Sequence, residues 1–255
     1  MLLNQRREKI YAMIREDGHE KVASLSKIFN VTEVTIRQDL EALELEGLVI
    51  REHGGAYLKD HDMNVRKFEL LNKDNMMQKQ LIARKAIDYI EDGDTIILDS
   101  GSTTTEIAKQ IAGYQNLTVI TNALNIAIIL GGQAGINVVV TGGEFKAPTI
   151  SLTGQKAADF FQNIHVDKLF LATAGVAVKT GLTYPGISDI CVKKAMIDSA
   201  NTVYLVADSS KMGKKSFASL GSISIIDFLI TDSDIKPEDI KWIKANNVEF
   251  IIAEL

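Results

Sequence analysis

From about Met76 onward the chain repeats one texture, and that texture restricts its fold more than any other feature. Short apolar runs recur at Thr95–Leu98, Leu117–Thr121, Val138–Thr141, Lys168–Thr173, Val203–Ala207, Phe228–Thr231 and Glu249–Ala253. Helix-like segments separate several of them, notably Thr104–Ile111, Asp189–Ala200 and Pro237–Asn246. Strands that are apolar on both faces and alternate with helices predict a mostly parallel sheet covered on both sides. Most of these runs end in small polar residues: Asp99-Ser-Gly-Ser-Thr-Thr104, Thr121-Asn122, Thr141-Gly142-Gly143, Thr173-Ala174-Gly175 and Asp208-Ser209-Ser210-Lys211. In a parallel sheet these strand ends converge on one edge, where ligands of such folds bind.

The first 58 residues read differently. A helix is expected over about Asn4 to Glu16, with Ile10, Met13 and Ile14 on one face and Gly18 as its stop. A second spans about Val22 to Phe29. A third follows Val31, capped by Thr32, with Ile36, Leu40 and Leu43 as its buried stripe and Gly47 as its end. Leu48–Arg51 and Ala56–Leu58 flank the turn Glu52-His53-Gly54-Gly55, a hairpin signal. The expected organisation is therefore residues 1–58 as a three-helix unit with a hairpin, 59–75 as a polar linker and 76–255 as an α/β domain.

Two helices joined by Asn30-Val31 make a helix-turn-helix, whose second helix enters the major groove N-terminus first. Thr32, Glu33, Thr35, Arg37 and Gln38 are its early solvent-facing residues. Arginine can bind guanine, and glutamine adenine, in bidentate fashion. Asp39 would repel phosphate and is expected to face away from DNA and pair with a nearby base or backbone donor. Arg6, Arg7 and Arg51 are expected at backbone phosphates, which position without specifying. The hairpin is the wing, with His53 beside Gly54-Gly55, whose small size lets the backbone approach DNA. Charge argues the other way. The chain carries a net −5, and its first 58 residues hold eight basic against ten acidic side chains. Trihelical units also serve as protein-interaction modules, so spacing alone leaves that reading open.

Asp99, Ser100, Gly101, Ser102, Thr103 and Thr104 follow a buried strand and open a helix, an arrangement suited to cradling an anion on backbone N–H groups. Packing and capping explain many such loops equally well. Thr121, Asn122, Gly142, Gly143, Gly175, Asp208 and Lys211 join the expected effector set. Lys211 is either a cation for a phosphate or a solvated lysine. Asp99 and Asp208 either accept from sugar hydroxyls or only cap turns.

The remaining features exclude several classes. Cys191 is the only cysteine, so no intrachain disulfide forms, which fits a cytoplasmic protein. Met1–Lys9 is polar and lacks a signal-peptide core. The apolar stretch Ala123–Val140 is interrupted by Asn125, Gly131, Gly132, Gln133 and Asn137, so no membrane span is expected. His19, His53, His61 and His165 lie apart, without metal-ligand spacing, and neither metal nor cofactor is expected.

The stretch Val22–Leu40 resembles the signature of the DeoR family of regulators, above all Thr32-x-x-Thr35-Ile36-Arg37-x-Asp39-Leu40, then Glu44, Gly47 and Arg51-x-x-Gly54-Gly55-Ala56. The resemblance continues through Asp99–Thr104, Val119–Asn122, Gly142-Gly143 with Ser151-x-x-Gly154, Gly181–Thr183, Val192–Ile197 and Asp208–Lys211. It implies a winged helix-turn-helix followed by a sensor domain similar in fold to ribose-5-phosphate isomerase. It also implies a repressor of a carbohydrate-utilisation operon. Such a protein binds double-stranded operator DNA as a homo-oligomer and is released by a phosphorylated sugar or sugar alcohol. Gln38 stands where the family often has a basic residue. Met212 replaces a frequent Phe, and Gly186, Ser188 and Asp189 replace an Asn and a Glu-rich stretch. The main rival is a sugar-phosphate isomerase. Isomerisation needs a general base, yet Phe170–Val178, the segment resembling the isomerases' catalytic region, has no carboxylate.

Overall fold

A computed structural model describes residues 3–17, 19–52, 54–58 and 74–254. Gly18, His53 and nearly all of the expected linker lie outside the described residues. The chain divides into two compact units.

In the first unit, α1 (Leu3–Asp17) precedes a short strand β1 (His19–Lys21), followed by α2 (Val22–Phe29) and α3 (Glu33–Leu45). Strands β2 (Val49–Glu52) and β3 (Gly55–Leu58) form the expected hairpin, and β1 joins them as a third strand in the order β1-β3-β2. Three residues did not suggest a strand in the sequence. The turn between α2 and α3 is made by Asn30 in the left-handed region, φ 51°, and by the Ser26 hydroxyl donating to the Val31 carbonyl at 2.6 Å. Ile10, Met13, Ile14, Val22, Leu25, Ile36, Leu40, Leu43 and Val49 are buried together. Thr32 caps α3 by accepting the Thr35 N–H at 3.2 Å. Thr32→Ala should therefore lower the stability of this unit by about 1 kcal/mol, read as a shift in its chemical-denaturation midpoint. An unchanged midpoint would remove the cap from the account.

In the second unit every expected apolar run is a strand of one seven-stranded sheet. The unit opens with α4 (Met76–Ala86), then β4 (Thr95–Leu98), α5 (Ser102–Gln110), β5 (Leu117–Thr121), α6 (Leu124–Leu130) and β6 (Ile136–Val140). A small hairpin, β7 (Glu144–Lys146) and β8 (Ser151–Thr153), leads into α7 (Gln155–Asp159) and β9 (Val166–Leu171). Next come β10 (Gly175–Ala177), β11 (Gly181–Tyr184), α8 (Ile187–Ser199), β12 (Ala200–Val206), β13 (Ala218–Gly221), β14 (Phe228–Asp232), α9 (Pro237–Ala245) and β15 (Glu249–Ala253). The large sheet has the order β15-β14-β12-β9-β4-β5-β6, and every pairing in it is parallel. A separate antiparallel sheet, β10-β11-β13, lies outside it.

Alternation along each strand feeds two cores. Ile96 and Leu98 of β4 pack with Ile82 and Ala83 of α4, Ile107 of α5 and Ile126 of α6. Ile97 faces the other way, toward the cluster holding Ala157 of α7, Val192 and Met196 of α8 and Ile243 of α9. Both faces are thus covered, as a parallel sheet requires. No helix among the described residues is long and apolar enough to cross a membrane.

Candidate functional site

The recognition-helix residues Thr32, Glu33, Arg37 and Gln38 are exposed, and Thr35 is half-buried. Arg37 donates to Glu33 one turn earlier at 2.8 Å, with both side chains about half in solvent. Such an exposed pair holds the guanidinium loosely. Asp39 lies inside the unit and is 1% exposed. Arg6 donates to it from Nε at 2.5 Å and from Nη2 at 3.2 Å, and Arg7 donates from Nε at 3.2 Å. This corrects the expectation for Arg6. Its side chain is only 11% exposed, and its fork closes on a buried carboxylate, so it joins α1 to α3 instead of reaching a phosphate. The Asp39 hydrogen bond holds the Arg6 guanidinium still further in its charged form. Arg7 keeps more of its surface in water, 27%.

Arg51 is tied to α3. Its backbone N–H and its Nε donate to the two oxygens of Glu44, at 2.9 and 2.7 Å. Those bonds, the backbone one foremost, draw the Glu44 carboxyl below the ordinary range. The wing is therefore anchored to the recognition helix through one carboxylate. Gly54 sits at the exposed turn with φ +86°. Gly55 is glycine for a different reason than expected: a Cβ there would run into the Glu20 carbonyl of β1. Its small size serves that strand pairing.

In the second unit, β4 and β5 bring their C-terminal ends together. The Ser100 N–H donates to Asn122 Oδ1 at 3.1 Å, and Asn122 Nδ2 reaches Ser100 Oγ at 3.4 Å and the Leu152 carbonyl at 3.0 Å. Asp99 is fully buried. Its Oδ1 accepts from the Ser100 N–H at 2.7 Å and from Lys193 of α8, and its Oδ2 accepts from the Ala172 N–H at 3.1 Å. Both oxygens are engaged and the group is buried, so bracing the loop accounts for Asp99. Burial raises its carboxyl above the usual range, against the pull of Lys193 and the two backbone donors.

Thr104 is also internal, donating to the Asp99 and Gly101 carbonyls at 2.6 and 2.9 Å. Thr121 is fully buried and bridges the Leu98 carbonyl and the Ala123 N–H. Thr103 is buried, which leaves Ser100, Gly101 and Ser102 as the half-exposed lip of the loop. The first-turn N–H groups of α5, from Ser102 to Thr104, have no intrahelical acceptor by the geometry of any helix, and the Thr105 N–H makes the first bond, to Gly101. That lip presents unbonded first-turn N–H groups over a braced floor, the arrangement that suits an anion.

The glycines divide by cause. At Gly101 an added Cβ would stand 2.5 Å from the Cβ of Ala172, and at Gly143 2.7 Å from the Thr153 carbonyl. Gly175 faces the Lys214 carbonyl, 2.6 Å from where a Cβ would be, and opens β10 of the small antiparallel sheet, so close packing accounts for the glycine. Gly142 has open space and φ +74°. Asp208 is 1% exposed, and Lys211 is half-buried just after it.

Three lysines that the sequence reading did not single out are buried among the described residues, Lys193 at 3% exposure and Lys79 and Lys146 at 4%. The signal was available for Lys79 and Lys193. Lys79, Ile82, Ala83 and Ala86 share one buried face of α4, and Asp189, Val192, Lys193 and Met196 share one of α8. Each of these two lysines occupies a position of an apolar stripe at i, i+3, i+4, i+7 spacing.

The DeoR C terminal sensor domain family matches residues 74–233, and the DeoR-like helix-turn-helix domain family matches residues 6–62. The HTH-type transcriptional regulator YulB of Bacillus subtilis is 36% identical over 98% of this chain and 96% of its own. The putative aga operon transcriptional repressor of Escherichia coli O157:H7 is 31% identical over 98% and 93%. The glycerol-3-phosphate regulon repressor of Escherichia coli K12 is 30% identical over 91% and 92%. Among solved structures, ribose 5-phosphate isomerase A of Methanocaldococcus jannaschii aligns over 55% of each chain at 18% identity and a TM-score of 0.41. With both parts matched and relatives aligned almost end to end, the chain belongs to the DeoR family of helix-turn-helix transcriptional regulators.

Proposed function

We propose that this regulator represses a carbohydrate-utilisation operon in the cytoplasm and leaves its operator when a phosphorylated sugar or sugar alcohol binds the second unit. The observation that carries the reading is the opening of α5. Its first-turn N–H groups sit on a loop fixed from beneath by Asp99, Thr104 and Asn122, at the edge of a parallel sheet where ligands bind. Two of the aligned relatives are named as repressors, one of an aga operon and one of a glycerol-3-phosphate regulon. Thr32, Glu33, Thr35, Arg37 and Gln38 read the major groove. Arg7, Arg51 and the turn at Gly54 meet phosphates. A pair of subunits reads two half-sites. Effector and operator act reciprocally: whatever factor one imposes on the other's affinity is returned, ~5–150-fold for a coupling of ~1–3 kcal/mol. Titrating operator DNA in gel shifts with and without a panel of sugar and polyol phosphates tests the reading. No change in affinity with any of them would overturn it.

Arg37→Ala should weaken operator binding by about 1–3 kcal/mol, some 5–150-fold, and leave the fold intact, because its partner Glu33 is exposed. Unchanged affinity in the same gel shift would take Arg37 out of the readout.

A further inference from the structure

One long stretch of the second unit carries no charge. Residues 111–143 contain no Asp, Glu, Lys, Arg or His, although charged residues make up 24% of the chain. The stretch includes β5, α6 and β6, and it is not confined to the core. Ile128 of α6 is 80% exposed and Val140 of β6 37%, and Asn137 and the loop 131–135 are exposed as well. A surface emptied of charge is the compositional mark of an interface core.

The same stretch ends in an open sheet edge. The large sheet has two edges, β15 and β6, and they differ. β15 carries the exposed Glu249 and has the Lys244 ammonium 4.9 Å above the centre of its Phe250 ring. Charge of that kind blunts an edge against pairing. β6, Ile136-Asn-Val-Val-Val140, has no charge and no proline, and its register with β5 runs without a bulge from Leu117 opposite Ile136 to Thr121 opposite Val140.

The backbone says which groups are open. The Leu117 N–H donates to the Gly135 carbonyl at 3.1 Å, and the Thr141 N–H to the Thr121 carbonyl at 3.2 Å. Each residue of a parallel strand turns both backbone groups to one side, and successive residues alternate. Gly135, Asn137, Val139 and Thr141 therefore face β5, while Ile136, Val138 and Val140 face outward. The Ile136 N–H is taken by the Gln133 carbonyl at 3.3 Å. That leaves two outward donors, the N–H groups of Val138 and Val140, opposite no strand among the described residues. A reversed copy of β6 fits them. With Val138 opposite its own counterpart, the two valines exchange both bonds, and each Val140 N–H meets the Ile136 carbonyl of the other copy. Both donors of each copy are satisfied, and no like charges meet.

Building on the reading that a pair of subunits meets the operator, we propose that β6 is the subunit interface. It pairs antiparallel with β6 of a second copy about a two-fold axis at Val138, and the two seven-stranded sheets become one. The contact is isologous and closes on itself, as dimer interfaces do.

The test is sedimentation equilibrium of the full-length protein, the wild type beside Val140→Pro and Val140→Lys. Proline removes an outward donor that β5 does not use, a position where a strand tolerates it. Lysine brings like charges to the seam. The wild type should associate in pairs, and both variants should raise the dissociation constant about 10-fold or more with an unchanged far-ultraviolet circular dichroism spectrum. A dissociation constant unchanged in both overturns the proposal. Should neither variant fold, Val138→Cys in a Cys191→Ser background decides. Opposed residues of a hydrogen-bonded antiparallel pair have Cα atoms about 5.5 Å apart, within disulfide range, so oxidation with diamide should link two copies through the same position. Absence of that covalent dimer, at concentrations where the wild type is paired, also overturns the proposal. If the wild type is monomeric at every concentration and on operator DNA, the paired reading itself falls, and this inference with it.

Discussion

Ser102→Asp should give a folded protein that holds its operator and does not release it at effector concentrations that saturate the wild type. Ser102 is the first residue of α5, and its side chain is half-exposed at the lip of the cradle. A carboxylate in the first turn of a helix is favourable by about 0.3–1 kcal/mol, so the substitution does not endanger the fold. It places a negative charge at the proposed phosphate position and occupies the first-turn N–H groups there. Ser102→Ala removes only a hydroxyl and should weaken the effector about 2–10-fold, the loss expected of one neutral hydrogen bond. A side chain at Gly101 is a poorer probe, because the Cβ of Ala172 leaves it no room. Release of Ser102→Asp at the wild-type effector concentration would place the phosphate elsewhere.

Asp39→Ala should destabilise the first unit by about 3 kcal/mol and abolish operator binding through loss of the fold, not through loss of a DNA contact. Removing one member of a buried ion pair leaves the other uncompensated, at a cost of about 3–5 kcal/mol. The low end applies here because Arg7 has water to turn to, whereas Arg6 is nearly enclosed. The double variant Arg6→Met, Asp39→Leu should recover most of the loss, since apolar side chains of similar volume replace buried pairs at little cost. Thermal unfolding followed by circular dichroism separates the two variants. If Asp39→Ala melts with the wild type, the pair contributes nothing and Arg6 returns to the surface account.

The large sheet was legible because parallel strands are buried on both faces, which turns them into short continuous apolar runs. Each of those runs is a strand, with ends displaced by a few residues. The small sheet β10-β11-β13 was not legible. Gly175–Ala177 is three residues long and Gly181–Tyr184 four, too short for alternation to register. At the candidate site, residue type located the loops and did not tell which groups face a ligand. Asp99, Thr104 and Thr121 had suitable chemistry and face inward, because each satisfies a neighbouring strand or loop. The converse error fell on charged residues in apolar stripes. Asp39 shares the buried face of α3 with Ile36, Leu40 and Leu43 and was read only as facing away from DNA, because phosphate would repel it. Lys79 and Lys193 hold the corresponding places on α4 and α8 and were not singled out. A charge at a stripe position marks a buried partner elsewhere in the chain. For Asp39 that partner is Arg6, and for Lys193 it is Asp99.

The loop before α5 is bent and braced by the protein alone: Lys193 and two backbone N–H groups hold Asp99, Thr104 ties the loop to itself, and Asn122 holds Ser100. An anion arriving there has nothing to fold, so little conformational entropy is lost on capture. Calorimetry of phosphate docking should then show a modest entropic opposition and a small heat-capacity change, the thermal signature of a rigid receptor. A segment that orders around its ligand shows the large values of coupled folding. The sensitivity of such a receptor is set by the fit of the ligand's far end, and its threshold can be retuned by changing residues there without disturbing the brace.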